Sequence, residues 1–295
     1  MNLRDTESQY AHLAEAIPED AEAARIAAVA AALAQIQSVV EQGQVASSTL
    51  SVRVGNILVE VPRAPGALIN ELDRVVNLVR IATNDFADDL TLVLSAGQDA
   101  AVAVGGQIVD IPLLSVGIEF GAPQVTVPLL DVVKTFGADR IKGLSDSVLA
   151  QIRAEIQLAA IDAQSLDETM ANIQRLLPPS GTGSGVATRA EAIVRTEVGR
   201  IHSMAAQNRM ESLLEQIPDL QKEWRHSGRI LNARDGHVAA SGQRVPVMER
   251  FSVAPTVGGT RQQLLYPRDP IATAANSVFC RCTAAVWLQR WEEDE

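Results

Sequence analysis

SVRVGNILVEVP (residues 51–62) and AVAVGGQIVDIP (residues 101–112) stand fifty residues apart and decide how the first half of the chain is read. Val52/Val102, Val54/Val104, Gly55/Gly105, Val59/Val109 and Pro62/Pro112 coincide, while Leu58/Ile108, Glu60/Asp110 and Val61/Ile111 are similar. Both segments alternate apolar and polar residues about a glycine, and Gly55-Asn56 is a two-residue turn signal, so the pattern predicts a β-hairpin. The constant offset predicts a duplicated hairpin, with coincidence of two valine-rich hairpins as the rival over so short a repeat. Between the copies, Leu68, Leu72, Val75, Val76 and Val79 predict an amphipathic helix. After them, VGIEFGAPQVTVP (116–128) predicts a third strand pair around Gly121-Ala122-Pro123. Residues 45–130 are therefore expected to form a β-rich module, whose exposed sheet edges would favour pairing across subunits. It contains no His and no Cys.

Working outward, residues 1–44 read as a helical arm. Ile26, Val29, Leu33, Ile36 and Val40 alternate spacings of three and four, an a/d seam that packs within its own domain or docks on another subunit. Residues 131–179 take a helical period. Ser165-Leu166-Asp167-Glu168 fits a capping box opening a helix that runs to Leu177. The run Pro178-Pro179-Ser180-Gly181-Thr182-Gly183-Ser184-Gly185 predicts a linker over 180–187, and a long helix is expected from Thr188 to Glu215. Beyond Pro218 the chain is rich in turns. The expected class is α+β: an N-terminal helix, a hairpin-rich module, a helical segment, and an irregular α+β module over 188–295.

The formal net charge is −11 and aromatic residues make up 3%, which argues against a general nucleic-acid binder with basic grooves and stacking rings. Residues 188–295 differ, with 14 basic against 13 acidic residues, four of the acids being Glu292, Glu293, Asp294 and Glu295. Thirteen of those cations are arginine, the side chain suited to bidentate recognition of carboxylates or phosphates. The opening MNLRDTESQ lacks the basic and apolar regions of a secretory signal. The longest uncharged helical stretch, Ile26 to Val40, is shorter than the ~20 apolar residues that span a bilayer. A soluble protein in a reducing compartment, with no membrane partner, is the expectation.

RAEAIVRTEVGRIHSMA (189–205), KEW (222–224), ARDGHVAASGQRVPVMERF (233–251), LLYPRDP (264–270) and CRC (280–282) together resemble the phage Mu F-like minor head protein family, also described as capsid morphogenesis proteins. The order and spacing of these blocks carry the resemblance over about residues 189–283. Residues 140–177 also look like the segment that precedes the family's domain. The resemblance implies a virion component of a tailed phage, in the head or neck, made in the host cytoplasm and binding portal and major capsid proteins during assembly. It implies no catalytic activity.

Within these blocks, Arg195 and Glu197 lie on a predicted helix with Thr196 facing away from its core stripe. A buried polar network joining them to the loop Arg234-Asp235-Gly236-His237 is expected, since buried charges are costly unless paired. Gly236 and Gly242 can supply left-handed turns, and Pro267, Asp269 and Pro270 can stiffen a surface loop. Trp224 is read as a core anchor. Arg281 separates the two cysteines, Cys280 and Cys282. On a strand their side chains would share a face about 6–7 Å apart, and a mutual disulfide would need severe distortion. They are small buried hydrophobes, or thiolates holding zinc with His237 and a fourth group such as His226 or Asp235, or a redox or nucleophilic pair. Some family members carry an additional CxxC near the RDGH position, where this chain has Leu231-Asn232-Ala233-Arg234, and family members often have Asn before CRC, where it has Phe279.

Three functions follow as expectations. The first is an adhesive head protein without a cofactor, self-associating through its N-terminal helix or β-module. The second is an enzyme, ADP-ribosyltransferase-like or zinc-dependent, around Arg195, Glu197, His237 and the thiols. The third is an internal head protein touching DNA through the terminal arginines.

Overall fold

The computed structural model describes residues 18–62, 67–121, 127–161, 163–178, 185–226, 233–255, 260–288 and 291. Most of the predicted linker and the acidic tail lie outside them. The class is α+β, with helices first and short antiparallel strands near the end. Five helices lead: α1 (Pro18–Val59), α2 (Ala67–Ser115), α3 (Val127–Ala160), α4 (Leu166–Leu176) and α5 (Val186–Leu213). Then come β1 (Leu220–Arg225), α6 (Asp235–Ala240), β2 (Arg244–Pro246), β3 (Phe251–Val253), β4 (Gln262–Leu264), α7 (Ala274–Ser277) and β5 (Thr283–Leu288).

The hairpin-rich module is corrected outright: both repeat copies are the ends of long helices. Along the first copy and the residue before it the buried side chains are Leu50, Val54, Leu58 and Val61, spaced by three or four, while Val52 and Val59 are 61% and 64% exposed. In the second the buried residues are Ala101, Gly105, Gly106, Ile108, Val109 and Pro112, with Leu113 buried just beyond it. A helical period was hidden inside an apparent alternation because both patterns share Val54 and Val109. Neither glycine makes a turn. A Cβ on Gly55 would meet nothing within 4 Å, whereas one on Gly105 would lie 2.6 Å from the His202 carbonyl oxygen and 2.7 Å from Ala205 Cβ. Gly105 thus lets α2 and α5 approach closely. Of the predicted third strand pair, residues 116–121 are turn and coil, 122–126 lie outside the described residues, and α3 starts at Val127. The N-terminal seam is also shifted: Ile26 is 58% exposed, and Ala21, Ala28 and Ala32 are buried instead, followed by Ile36 and Val40.

Two compact units emerge. The first comprises Met1–Ile36, Gln98–Leu130 and Val198–Glu295, and the second Gln37–Gly97 and Asp131–Glu197. In the second, a Cβ on Gly97 would fall 2.7 Å from Val39, so α1 and α2 touch closely there. Ser145 donates to the Thr83 carbonyl at 2.8 Å, tying α3 to α2, and Ser51 donates to the Leu177 carbonyl at 2.9 Å. The capping box forms as expected: the Glu168 N–H donates to Ser165 Oγ, and the Ser165 N–H donates to the Glu168 carboxylate. Helices α1 and α2 are long and apolar enough to cross a membrane. Both also bury polar groups, Arg25 and Ser47 in α1 and Thr83 and Gln98 in α2, as core helices do.

The first unit carries the strands. β1 pairs antiparallel with β2 (Lys222 opposite Val245) and with β5 (Lys222 opposite Val286), giving the order β2-β1-β5, and β3 pairs with β4. Trp224, Phe251, Leu264 and Val286 centre its core, which also takes in Ile108, Val109 and Leu113 from α2 and Met210 and Leu213 from α5. The sheet and its short helices are what bring the distant sequence blocks together.

Candidate functional site

Two cysteines and a histidine meet at the centre of the first unit. The chain enters α6 through Arg234 in extended conformation, and the first turn carries His237 inward, 2% exposed. Gly236 is required for approach and not for a left-handed turn, because a Cβ there would lie 2.3 Å from the Ala254 carbonyl oxygen. Gly242 does take the left-handed conformation, at φ +83°, and its N–H donates to the Trp224 carbonyl at 2.8 Å. Cys280 and Cys282 are 4% and 1% exposed. They lie just before β5, which begins at Thr283, so the strand spacing expected of them does not apply. Both sulfurs reach one atom: His237 Nδ1 is 3.5 Å from Cys280 Sγ and 3.4 Å from Cys282 Sγ. The three ligand atoms lie within 4.8 Å of one another. Trp224 stands edge-on to the His237 ring, with centroids 5.6 Å apart, and edge-on to Phe251 at 5.4 Å, as expected of a core anchor.

The thiols share their burial unequally. A hydrogen bond from Cys282, followed by His237 and the Arg268 guanidinium, holds Cys280 well below the ordinary thiol pKa against the opposing effect of burial. The same hydrogen bond and burial push Cys282 up. The two thiols are thus shifted in opposite directions, Cys280 down and Cys282 up.

Arg268 is the residue that sequence reasoning missed. It is 1% exposed, has φ +65°, and donates to the Cys280 carbonyl at 2.6 Å and to Ser203 Oγ at 3.2 Å. Its own carbonyl accepts from Arg200 Nε at 3.1 Å. A Cβ on Gly199 would lie 2.7 Å from the guanidinium carbon, so that glycine makes the space. Burial lowers the Arg268 pKa while Cys280 and Cys282 raise it, and burial, helped by Arg268, lowers His202 to about 3.

The pattern recurs around the module, where buried cations serve loop carbonyls. Lys222 donates to Leu265 at 2.8 Å and to Gln207 Oε1 at 3.0 Å, and burial brings its pKa down to about 7. Arg234 donates to the Val278 carbonyl. Arg209 donates to the Gly121 carbonyl at 2.7 Å and pairs with Asp110 at 2.6 Å. Loops that leave helix or sheet must find donors for their buried carbonyls, and cationic donors make the stronger hydrogen bonds.

Other expectations are corrected. Thr196 is 3% exposed and so does not face away from the core. In place of the bridge to the 234–237 loop, Arg195 pairs with Glu191 at 2.6 Å and donates to Gln37 Oε1 at 2.6 Å, and Glu197 lies 3.5 Å from Arg140 Nε. Pro267 and Asp269 are buried, leaving only Pro270 of that trio exposed. Asp269 accepts from the Leu265 and Ile271 N–H groups at 2.8 and 3.1 Å and pairs with Arg250 at 3.3 Å, so it organises a buried loop. Asp235 and Arg281 are exposed, and neither Asp235 nor His226 joins the sulfur cluster among the described residues.

In a tetrahedral zinc site with Zn–N of about 2.0–2.1 Å and Zn–S of about 2.3 Å, the N···S edge is about 3.5 Å. Both observed N···S separations fall at that edge. His237, Cys280 and Cys282 thus form a set of three ligands able to hold a metal ion. No family model, no curated protein and no solved structure matches this chain.

Proposed function

We propose that this chain is a structural minor head protein of a tailed phage, of the Mu F-like type, whose terminal module binds portal or major capsid protein during head assembly. The observation that carries the reading is that four of the blocks behind the resemblance pack on one another. Trp224 of KEW lies against His237 of the ARDGH block, His237 meets both thiols of CRC, and Arg268 of LLYPRDP donates to the Cys280 carbonyl. The fifth block joins them through Arg200 and Ser203. The polar side chains of those blocks are engaged in holding loops, which favours an architectural role over turnover.

Within this reading, the sulfur cluster holds a structural zinc. His237, Cys280 and Cys282 would ligate it, and the ion would supply a cross-link between α6 and the entry to β5. Tetrahedral edges at both N···S contacts support zinc, and a thiolate already favoured at Cys280 supports ligation without a large proton cost.

The test of the assembly reading uses the full chain, co-expressed with portal and major capsid proteins from the same genome. Co-sedimentation with procapsids or with portal rings is expected, and a chain that remains at the top of the gradient in both mixtures overturns the reading. Zinc is tested separately. Elemental analysis of chain purified without chelator should give one zinc per molecule, lost in Cys280→Ser. Cobalt loading should give thiolate-to-metal charge-transfer absorption, and a metal-free chain with no such band refutes the zinc assignment.

A further inference from the structure

The second half of α1 carries apolar residues on two opposite sides. Leu50, Val54 and Leu58 are buried within the second unit. Val45, Val52 and Val59 stand seven residues apart, so they share one line along the other side of the helix, and all three are exposed, Val45 to 66%. An open groove of about 490 Å³ follows this outer side from Glu41 to Arg53, with Val45 and Val52 inside it and Ser48 and Thr49 between them.

The order of chemistry along the groove is acid, valine, two short hydroxyl residues, valine, base. Rotation by 180° about an axis through Ser48 and Thr49 reverses that order, so the groove is complementary to itself. A second copy laid antiparallel sets Val45 on Val52 of the other chain and Ser48 on its Thr49, and brings Glu41 within one helical turn of its Arg53. The short side chains at the centre let the two backbones approach while the valines interleave. Parallel pairing in register would instead set Glu41 against Glu41 and Arg53 against Arg53, which like charges disfavour. Arg53 keeps its 2.6 Å pair with Asp85 in either case: its side chain is 47% exposed, and a guanidinium has five N–H donors, enough for a second carboxylate.

We propose that the chain forms an antiparallel two-fold dimer through this outer face of α1, with Val45 and Val52 at its centre and a Glu41–Arg53 contact between chains at each end. Such a dimer does not depend on the assembly reading. The contact spans about 20 Å of helix, a small interface, so a dissociation constant on the order of 10 μM is expected.

The experiment is sedimentation equilibrium of the full chain from about 1 to 200 μM, a range that brackets that constant. A monomer–dimer equilibrium is expected. Val52→Glu changes an exposed site, should keep the melting temperature of the parent chain, and should weaken the dimer by at least about tenfold. Met248→Glu, at a site 63% exposed in the first unit, should leave the equilibrium unchanged. Glu41→Arg and Arg53→Glu each make both end contacts repulsive and should each weaken the dimer by about tenfold, while the Glu41→Arg/Arg53→Glu exchange restores it. A chain that stays monomeric over the whole range overturns the proposal. So do a dimer that survives Val52→Glu, an equal loss in Met248→Glu, single charge reversals without effect, and an exchange that fails to restore what the single reversals removed.

Discussion

The two units solve the same problem of burial by different means. In the unit formed by Gln37–Gly97 and Asp131–Glu197, long helices satisfy their own backbone, and the fully buried side chains include Leu50, Leu90, Leu94, Ile141 and Ile152. The hydroxyls buried there, Ser47, Thr83 and Ser145, are neutral and donate to nearby helix carbonyls. In the other unit the chain winds through turns between 265 and 282, and the core contains Lys222, Arg268, Asp269, His202 and His237. The difference teaches that the buried cations, though not the buried Glu197 of the helical unit, gather where the backbone is irregular: where the chain cannot bond to itself, arginine and lysine supply the missing donors.

The strongest way to break that comparison is to remove one such donor. Arg268→Ala leaves the Cys280 carbonyl and Ser203 without their cationic donor, and should cost about 3–5 kcal/mol in chemical denaturation. A loss below about 1 kcal/mol would show that the guanidinium is ornamental.

Acid should separate the units next. His202 is held neutral down to about pH 3, against 6.5 when unfolded, so the unfolded chain binds the extra proton in that window. Stability should therefore rise with pH from about 3 to 6.5 through this residue, at up to about 1.4 kcal/mol per pH unit, and be flat above it. Lys222 repeats the sign at higher pH: with a folded pKa of about 7 against 10.5, its contribution climbs as pH rises between those values. Denaturation midpoints of His202→Gln and Lys222→Met, read against the parent chain across pH, should lack the corresponding slope.

The paired glycines sharpen the contrast within one sequence motif. Gly105→Ala must displace the His202 carbonyl or Ala205 and should destabilise by about 1–3 kcal/mol. Gly55→Ala enters open space in a helix and should stabilise by about 0.5–1 kcal/mol. Opposite signs in thermal melts are the expected result; equal effects would mean that α2 and α5 have room to spare. The smallest change should come from Arg53→Ala, which breaks an exposed 2.6 Å pair with Asp85 and should alter stability by less than about 1 kcal/mol.

How far the sequence could be read depended on which signal each segment carried. The Ser165–Glu168 box lies in adjacent residues and marks the start of α4 correctly, as does the apolar stripe from Leu68 to Val79 within α2. The repeat misled because valine and isoleucine suit strands, and a glycine between them resembles a turn. Only the exposure of Val52 and Val59 distinguishes the two periods, and exposure is a tertiary property. At the site, His237, Cys280, Cys282 and Trp224 were recognisable by type and converge as one of the readings required. Arg268 was not singled out because a buried arginine in a Pro-Arg-Asp-Pro turn looks like an exposed one until its partners are known. Arg195 and Glu197 were assigned to the wrong network for the converse reason: helical neighbours offered them local partners that sequence blocks did not reveal.

Both native thiols sit beneath His237, in a chain with only these two cysteines. The folded surface is consequently blank to maleimides. Two cysteines placed at exposed positions such as Val45 and Leu92 would be the sole labelling points, so a spin or fluorophore distance between them could be read without first removing the native pair.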